Sequence, residues 1–295
     1  MRFLRAVVVM LVVLLAFVYG FAKLTSDDGP RVATPRLDKG ITALDIGTAS
    51  KLRWSPDGRR LALVEDGTVT VVGIDDAKIV TRAGHNVVDA TWMPDSKRVL
   101  VVEGPIPTGQ IATLDMQGRL DGVATLAPSI AFGDGFGLAV DARGTRAAAI
   151  AVTRDAIGGA THSDLAVIEL QTGKVHVYAT PRNETTPVFV DDDLVAVASA
   201  GRLDRFDLTT GAAGAGPALS GGPFARTFGE EIVVARRAPK GATTLVAVDA
   251  DTGDARTLHV TKPHRQVVAV NREVTRCLVR VPDPGGAAHL EIEAF

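Results

Sequence analysis

Leu52-Arg53-Trp54-Ser55-Pro56-Asp57-Gly58-Arg59-Arg60-Leu61-Ala62-Leu63-Val64 reads as two short strands joined by a tight turn, and its echoes downstream decide the architecture. Pro56 presets φ, Asp57 can bond the neighbouring backbone, and Gly58 takes the left-handed position that completes a hairpin. A weaker copy, Ala90-Thr91-Trp92-Met93-Pro94-Asp95-Ser96, precedes a second apolar strand and sets its Trp 38 residues after Trp54. A third, Leu138-Ala139-Val140-Asp141-Ala142-Arg143-Gly144, has lost Trp and Pro but keeps strand, turn and Gly. A second signature follows later in each unit: Glu169-Leu170-Gln171-Thr172-Gly173, Asp207-Leu208-Thr209-Thr210-Gly211 and Asp249-Ala250-Asp251-Thr252-Gly253, with Asp115-Met116-Gln117-Gly118 as a shorter form. Two hairpin turns per unit of about 40 residues are the mark of a four-stranded propeller blade.

Dividing the body at these turns predicts six units. The first uses residues 49–54, 60–65, 68–74 and 78–82; the second 87–92, 97–103, 110–115 and 119–125; the third 135–140, 146–153, 164–170 and 174–179. The fourth uses 186–190, 194–199, 202–207 and a weak strand after Gly211; the fifth 224–228, 231–236, 243–249 and 255–260. The sixth offers only 266–270, 274–281 and 287–293. A sheet edge left open is avoided in proteins, and the alternating segment Ile41-Thr42-Ala43-Leu44-Asp45-Ile46 belongs to no other unit. The expectation is an all-β, six-bladed β-propeller over residues 41–295, with this N-terminal strand closing the last blade. Seven blades would need more residues than remain, and no segment after residue 40 has helical periodicity.

The 295-residue chain is 46% hydrophobic, with net charge −2 and pI near 6.3. No basic stripe with aromatic partners is present, so nucleic acid is not an expected partner. One cysteine, Cys277, excludes an intramolecular disulfide and a multi-cysteine metal motif, and its apolar surroundings read it as a small buried side chain. At the amino terminus Arg2 and Arg5 precede 17 uncharged residues, Ala6 to Ala22, then Lys23. That run is near the lower limit for a bilayer-spanning helix and longer than the usual apolar segment of a signal peptide. Residues 1–23 are read as an uncleaved signal anchor, one transmembrane helix that keeps the N-terminus cytoplasmic and exports the rest. Residues 24–40, rich in Asp, Pro, Thr and Arg, read as a flexible linker.

Trp-Ser-Pro-Asp-Gly before an apolar strand, followed by Asp-x-x-Thr-Gly, resembles the repeats of TolB-like and WD-repeat-like bacterial β-propellers. The likeness is strongest at Trp54 to Val64, weaker at Trp92 to Val102, and elsewhere rests on the Asp-x-x-Thr-Gly turn. A membrane-tethered exported propeller also resembles the propeller part of LpqB-like proteins, without their lipid-bearing cysteine. The amino-terminal α/β domain that precedes the TolB propeller has no counterpart here. The resemblance implies a propeller of the bacterial cell envelope.

In a propeller the first-to-second and third-to-fourth turns of each blade share one face, and the remaining connections share the other. The second set is longer, and long loops on a rigid scaffold carry binding residues. Polar residues expected there are His85, Asn86, Arg154, Asp155, His162, Arg182, Asn183, Glu184, Arg236, Arg237, Lys240, Lys262, His264 and Arg265. His85, Arg154, His162, Arg182, Arg236, His264 and Arg265 are the candidate binding residues, suited to an acidic peptide or anionic ligand.

Enzyme signatures are missing: no His-Glu-x-x-His, Walker loop or Gly-x-Ser-x-Gly elbow occurs. His162-Ser163-Asp164 are sequence neighbours and cannot take triad geometry. Asp249 to Asp254 lacks the ligand spacing of a calcium loop. No catalytic residue, metal or cofactor is assigned. The expected function is a non-catalytic, single-pass, membrane-anchored extracytoplasmic module for protein interaction or ligand binding, its partner an envelope protein or the outer domain of a membrane protein. The alternative is a six-bladed hydrolase or lactonase with a metal in the central channel, for which Glu65, Glu103 and Asn271 are the available ligands.

Overall fold

A computed structural model of the chain describes residues 36–38, 41–43, 51–76, 78–104, 109–125, 130–132, 137–154, 160–180, 186–199, 202–218, 222–226, 231–283 and 288–295. Strands β1 (Arg36–Asp38) and β2 (Ile41–Ala43) pair antiparallel ahead of the repeats. The first blade is β3 (Lys51–Trp54), β4 (Arg60–Glu65), β5 (Thr68–Gly73) and β6 (Ile79–Ala83). The second is β7 (Val87–Trp92), β8 (Arg98–Glu103), β9 (Gln110–Asp115) and β10 (Leu120–Thr125). The third is β11 (Ile130–Phe132), β12 (Leu138–Val140), β13 (Arg146–Arg154), β14 (Ala160–Glu169) and β15 (Val175–Tyr178). The fourth is β16 (Thr186–Phe189), β17 (Leu194–Ser199), β18 (Arg202–Asp207) and β19 (Ala213–Ala218). The fifth is β20 (Gly222–Arg226), β21 (Glu231–Arg237), β22 (Thr243–Asp249) and β23 (Ala255–Val260), and the sixth β24 (Gln266–Val270), β25 (Arg276–Pro282) and β26 (Ala288–Ala294). Each sheet is antiparallel, and the strands of a blade pair in chain order from the innermost outward, except that in the third blade β11 and β12 both pair with β13.

Six sheets make six seams, and each seam has its own apolar cluster. Side chains alternate faces along a strand, so Ala62 and Val64 pack on Val99 and Val101 of the second blade. Leu61 and Leu63 of the same strand face the opposite way, onto Leu278, Leu290 and Ile292 of the sixth blade. That last cluster joins the end of the repeat series to its start, so the ring is closed by core packing, with β24 against β3. The middle strands are therefore buried on both faces, as in β4 and β5, while the outer strands β10, β19 and β23 are mostly exposed. Six blades and an all-β domain agree with the sequence reading.

Ile41–Ala43 lies beside β26, but the sixth sheet ends its ladder at β26, and residues 44–46 fall outside the described residues. The expected signal anchor also falls outside them. Among the described residues no helix is long and apolar enough to cross a membrane.

The first hairpin turn recurs four times with one geometry. Its first N–H donates to the carbonyl five residues on: Ser55 to Arg60 at 2.9 Å, Met93 to Arg98 at 2.9 Å, Asp141 to Arg146 at 3.0 Å and Asn271 to Arg276 at 3.0 Å. The fourth residue is left-handed: Gly58, Ser96, Gly144 and Val274, with φ of 70°, 57°, 69° and 53°. A side-chain oxygen at the first position often accepts a later N–H, as Asp141 Oδ1 does from Thr145 and Asn271 Oδ1 from Thr275. This corrects the sixth unit. A strand was expected from Val274, but Val274 is the left-handed residue of a turn hidden by its β-branched side chain, and β25 starts at Arg276.

The third blade departs most from expectation. β13 and β14 form a long hairpin running out to Arg154 paired with Ala160, where a loop over 153–163 was expected. Because β13 is nine residues long and β12 covers only Ala147 to Ala149, the extra strand β11 pairs with Ala151 to Thr153.

The second turn signature has a packing role. Gly173 has φ +69°, and a Cβ there would sit 2.3 Å from the Val123 carbonyl oxygen of the preceding blade. A Cβ on Gly253 would meet Pro217, also in the preceding blade, at 2.5 Å. Blade seams also carry polar links: Trp92 Nε1–H donates to the Arg53 carbonyl at 3.0 Å, and the Asp57 N–H donates to Ser96 Oγ at 3.0 Å. Trp54 has the Arg276 guanidinium over its ring at 5.4 Å, while its buried Nε1–H has no partner among the described residues.

Two stability comparisons follow from the seams. Gly173 and Gly211 share the same φ, but a Cβ on Gly211 meets its nearest neighbour, Tyr178, only at 3.9 Å. Gly173→Ala should therefore destabilise by about 1–3 kcal/mol more than Gly211→Ala, read by denaturant unfolding. Equal losses would mean that backbone strain alone matters. Trp92→Phe, which deletes a made hydrogen bond, should cost about 1 kcal/mol more than Trp54→Phe in the same assay.

Candidate functional site

The loop face gathers cationic side chains most densely on the fifth blade. Between β21 and β22, Pro239 starts a single 3-10 turn, Pro239–Gly241, and Lys240 and Gly241 are both left-handed at φ 57° and 70°. The chain crosses from β23 to β24 through Thr261-Lys262-Pro263-His264-Arg265, where His264 is left-handed too. The His264 N–H donates to the Lys240 carbonyl at 3.0 Å, and the Thr243 N–H donates to Thr261 Oγ1 at 2.9 Å, so the two loops are clamped together. Arg237, Lys240, Lys262 and His264 are exposed on them, and no acidic residue occurs in 236–244 or 261–266. Such a surface has a positive potential and suits carboxylates.

The other candidate residues divide. His85 is exposed on the connection between the first and second blades, where the Val87 N–H reaches the Gly67 carbonyl. Arg154 is the last residue of β13. His162 lies within β14, paired with Thr153, because the alternating Thr161-His162-Ser163-Asp164 continues the ladder. Its Nε2 is 2.9 Å from the Thr180 carbonyl and 3.1 Å from Asp164 Oδ1, so it ties strand to loop. Arg236 is the penultimate residue of β21, opposite Thr244. Arg182 lies outside the described residues.

Arg265 points away from the rim. Its Nη1 donates to Glu291 Oε2 at 2.5 Å and Glu293 Oε1 at 2.6 Å on β26, where alternation sets His289, Glu291 and Glu293 on one face. His289 bonds Asp283 at 2.7 Å and Glu291 at 3.0 Å, and the Glu291 bond foremost holds its imidazole above the ordinary histidine range. Further along this seam the metal-ligating atoms of His259, Cys277 and Glu293 all lie within 4.8 Å of one another, the one such group among the described residues. Of the expected channel ligands, Asn271 spends its amide on its own turn and Glu103 accepts from Gln110.

One buried charge was not singled out from the sequence. Asp89, on the innermost strand of the second blade, is 1% exposed; its Oδ2 accepts no hydrogen bond among the described residues, and Lys51 and Arg53 of β3 lie at 3.9 and 3.7 Å. Those separations exceed hydrogen-bond reach, so the cations do not replace the lost water. Burial therefore outweighs Arg53, Lys51 and the Ala90 and Leu138 backbone, and pushes the carboxyl up. A raised folded pKa gives stability that is present below the unfolded value and is lost as pH rises through the folded one. The melting temperature of the wild type should thus fall relative to Asp89→Asn as pH rises from acid to neutral. A variant less stable than wild type at neutral pH would show that the two cations win.

No protein-family model and no curated protein sequence matches the chain. Among solved structures it aligns with a TolB-type protein of Agrobacterium tumefaciens at 13% identity and TM-score 0.56, over 85% of this chain and 92% of that one. Hydrazine synthase of Kuenenia stuttgartiensis aligns at 14% identity and TM-score 0.54, over 84% and 83%. TolB of Acinetobacter baumannii aligns at 14% and 0.49, over 86% of this chain and 65% of that longer one. At these identities the likeness shows the fold alone: this chain is a six-bladed β-propeller, with the TolB-type protein of Agrobacterium tumefaciens among its structural neighbours.

Proposed function

We propose that this chain is a non-catalytic propeller of the cell envelope that binds a carboxylate-rich segment of a membrane protein's outer domain. In this reading residues 6–22 anchor it, residues 24–40 tether it, and the propeller stands on the extracytoplasmic side. Ile41–Ala43 adds the missing outer strand to the sixth blade, beside which it already runs. The observation that carries the reading is the pair of clamped loops on the fifth blade, which expose Arg237, Lys240, Lys262 and His264 without a neighbouring acid in either loop. A rigid ring holds such a surface ready before a partner arrives, so little ordering entropy is lost on binding.

The test uses a poly-glutamate peptide as probe. Exposed charges contribute about 0.2–1 kcal/mol each, so replacing Arg237, Lys240 and Lys262 together by Ala should weaken binding by about tenfold at low ionic strength. Added salt should narrow the difference. The same charge removed from the opposite face, at Arg59, Lys97 and Lys174, should leave affinity unchanged. Equal losses from both triple variants would leave only net charge as the cause and dispose of the fifth-blade site.

A further inference from the structure

We propose that His259, Cys277 and Glu293 form a divalent transition-metal site, of the kind that takes zinc, at the seam between the fifth and sixth blades. The three come from three strands. Cys277 and Glu293 are direct partners across the β25–β26 ladder, and His259 reaches them from β23, the outer strand of the neighbouring blade. Cross-strand partners project to the same face. The register of the sixth blade therefore brings a thiol and a carboxylate together, and the ring packing adds the imidazole. His259 Nε2 is 3.1 Å from Glu293 Oε2.

The donor set selects the ion. One sulfur, one imidazole nitrogen and one carboxylate oxygen suit zinc and its borderline neighbours, and do not suit calcium or magnesium, which take oxygens. Thiolate and carboxylate together neutralise the divalent charge. The surroundings hold the ligands in place as outer-shell partners do. Arg265 takes Glu293 Oε1 at 2.6 Å and leaves Oε2 toward His259, while Phe295 stacks on the His259 ring at 4.8 Å and 18°. Cys277 is fully buried, whereas the side chains of His259 and Glu293 are 20% and 12% exposed, which gives an ion a way in from the His259 side. Three protein ligands leave a fourth position for water.

The step balances without redox chemistry. The metal displaces the Cys277 thiol proton to solvent, and the His259–Glu293 hydrogen bond opens as Nε2 gives up its proton and Nδ1 carries one, which frees the Nε2 lone pair for the ion. Cys277 must lose its proton to bind the ion, so binding strengthens as pH rises.

The experiment uses the full chain in detergent, stripped of metal, with Zn²⁺ and Co²⁺ alone as probes. Expected are one zinc retained per chain, protection of Cys277 from alkylation, and a thiolate-to-cobalt charge-transfer band in the near ultraviolet. Cys277→Ser should abolish the band. His259→Gln, on the mostly exposed outer strand β23, should lower affinity by more than the roughly 10–100-fold that loss of an outer-shell partner costs. No charge-transfer band in the wild type, or zinc retained by His259→Gln and Cys277→Ser as tightly as by the wild type, would overturn the site.

Discussion

Each of the six blades packs both of its faces against a neighbouring blade, and the rest of the structure depends on that constraint. A sheet of three or four short strands cannot bury its apolar side chains alone. Leu61 and Leu63 need the sixth blade, and Ala62 and Val64 need the second. Because the two sets alternate along one strand, the first blade is held from both sides at once. The same arrangement passes round the ring until Leu278 and Ile292 return to Leu63. Removing water from these seams drives the assembly, and six separate clusters replace the single central core of a sandwich.

Close approach of neighbouring blades limits what the turns can be. The glycine of the Asp-x-x-Thr-Gly turn is left-handed, and at Gly173 and Gly253 it also sits where the outer strand of the preceding blade leaves no room for Cβ. Backbone freedom and space are thus both required at those two positions, whereas Gly211 answers to backbone conformation alone. At the corresponding place in the first turn, Val274 shows that a β-branched residue can be forced left-handed when neighbours hold the hairpin. The seams are not uniform in their polar links. Trp92 spends its N–H on the first blade, while Trp54, at the ring closure, holds the Arg276 guanidinium over its ring instead.

The loop face shows how a scaffold sorts similar side chains into different roles. Lys240, Lys262 and His264 stay exposed because their loops turn back through left-handed residues and clamp each other by backbone bonds. Arg265, one residue from His264, turns inward to two carboxylates on β26. His162 is drawn into a ladder that ran further than its polar composition suggested. A polar residue near a blade end is available to a partner only if no strand edge or carboxylate captures it first, and sequence position does not say which.

The sequence by itself determined the six repeats, the order of strands within a blade and most turns. These follow from local chemistry: period-2 alternation, Pro and Gly at turn positions, and Asp or Ser bonding its own backbone. It also placed His289, Glu291 and Glu293 on one face of the last strand, as alternation requires. Only the tertiary structure decided which of those side chains meet Arg265, His259 and Cys277, that Asp89 is shut between Lys51, Arg53 and the innermost strands, and that Val274 ends up left-handed. Those outcomes depend on how far neighbouring blades approach and in which register they pack, and such contacts join residues whose separation in the chain carries no local signal.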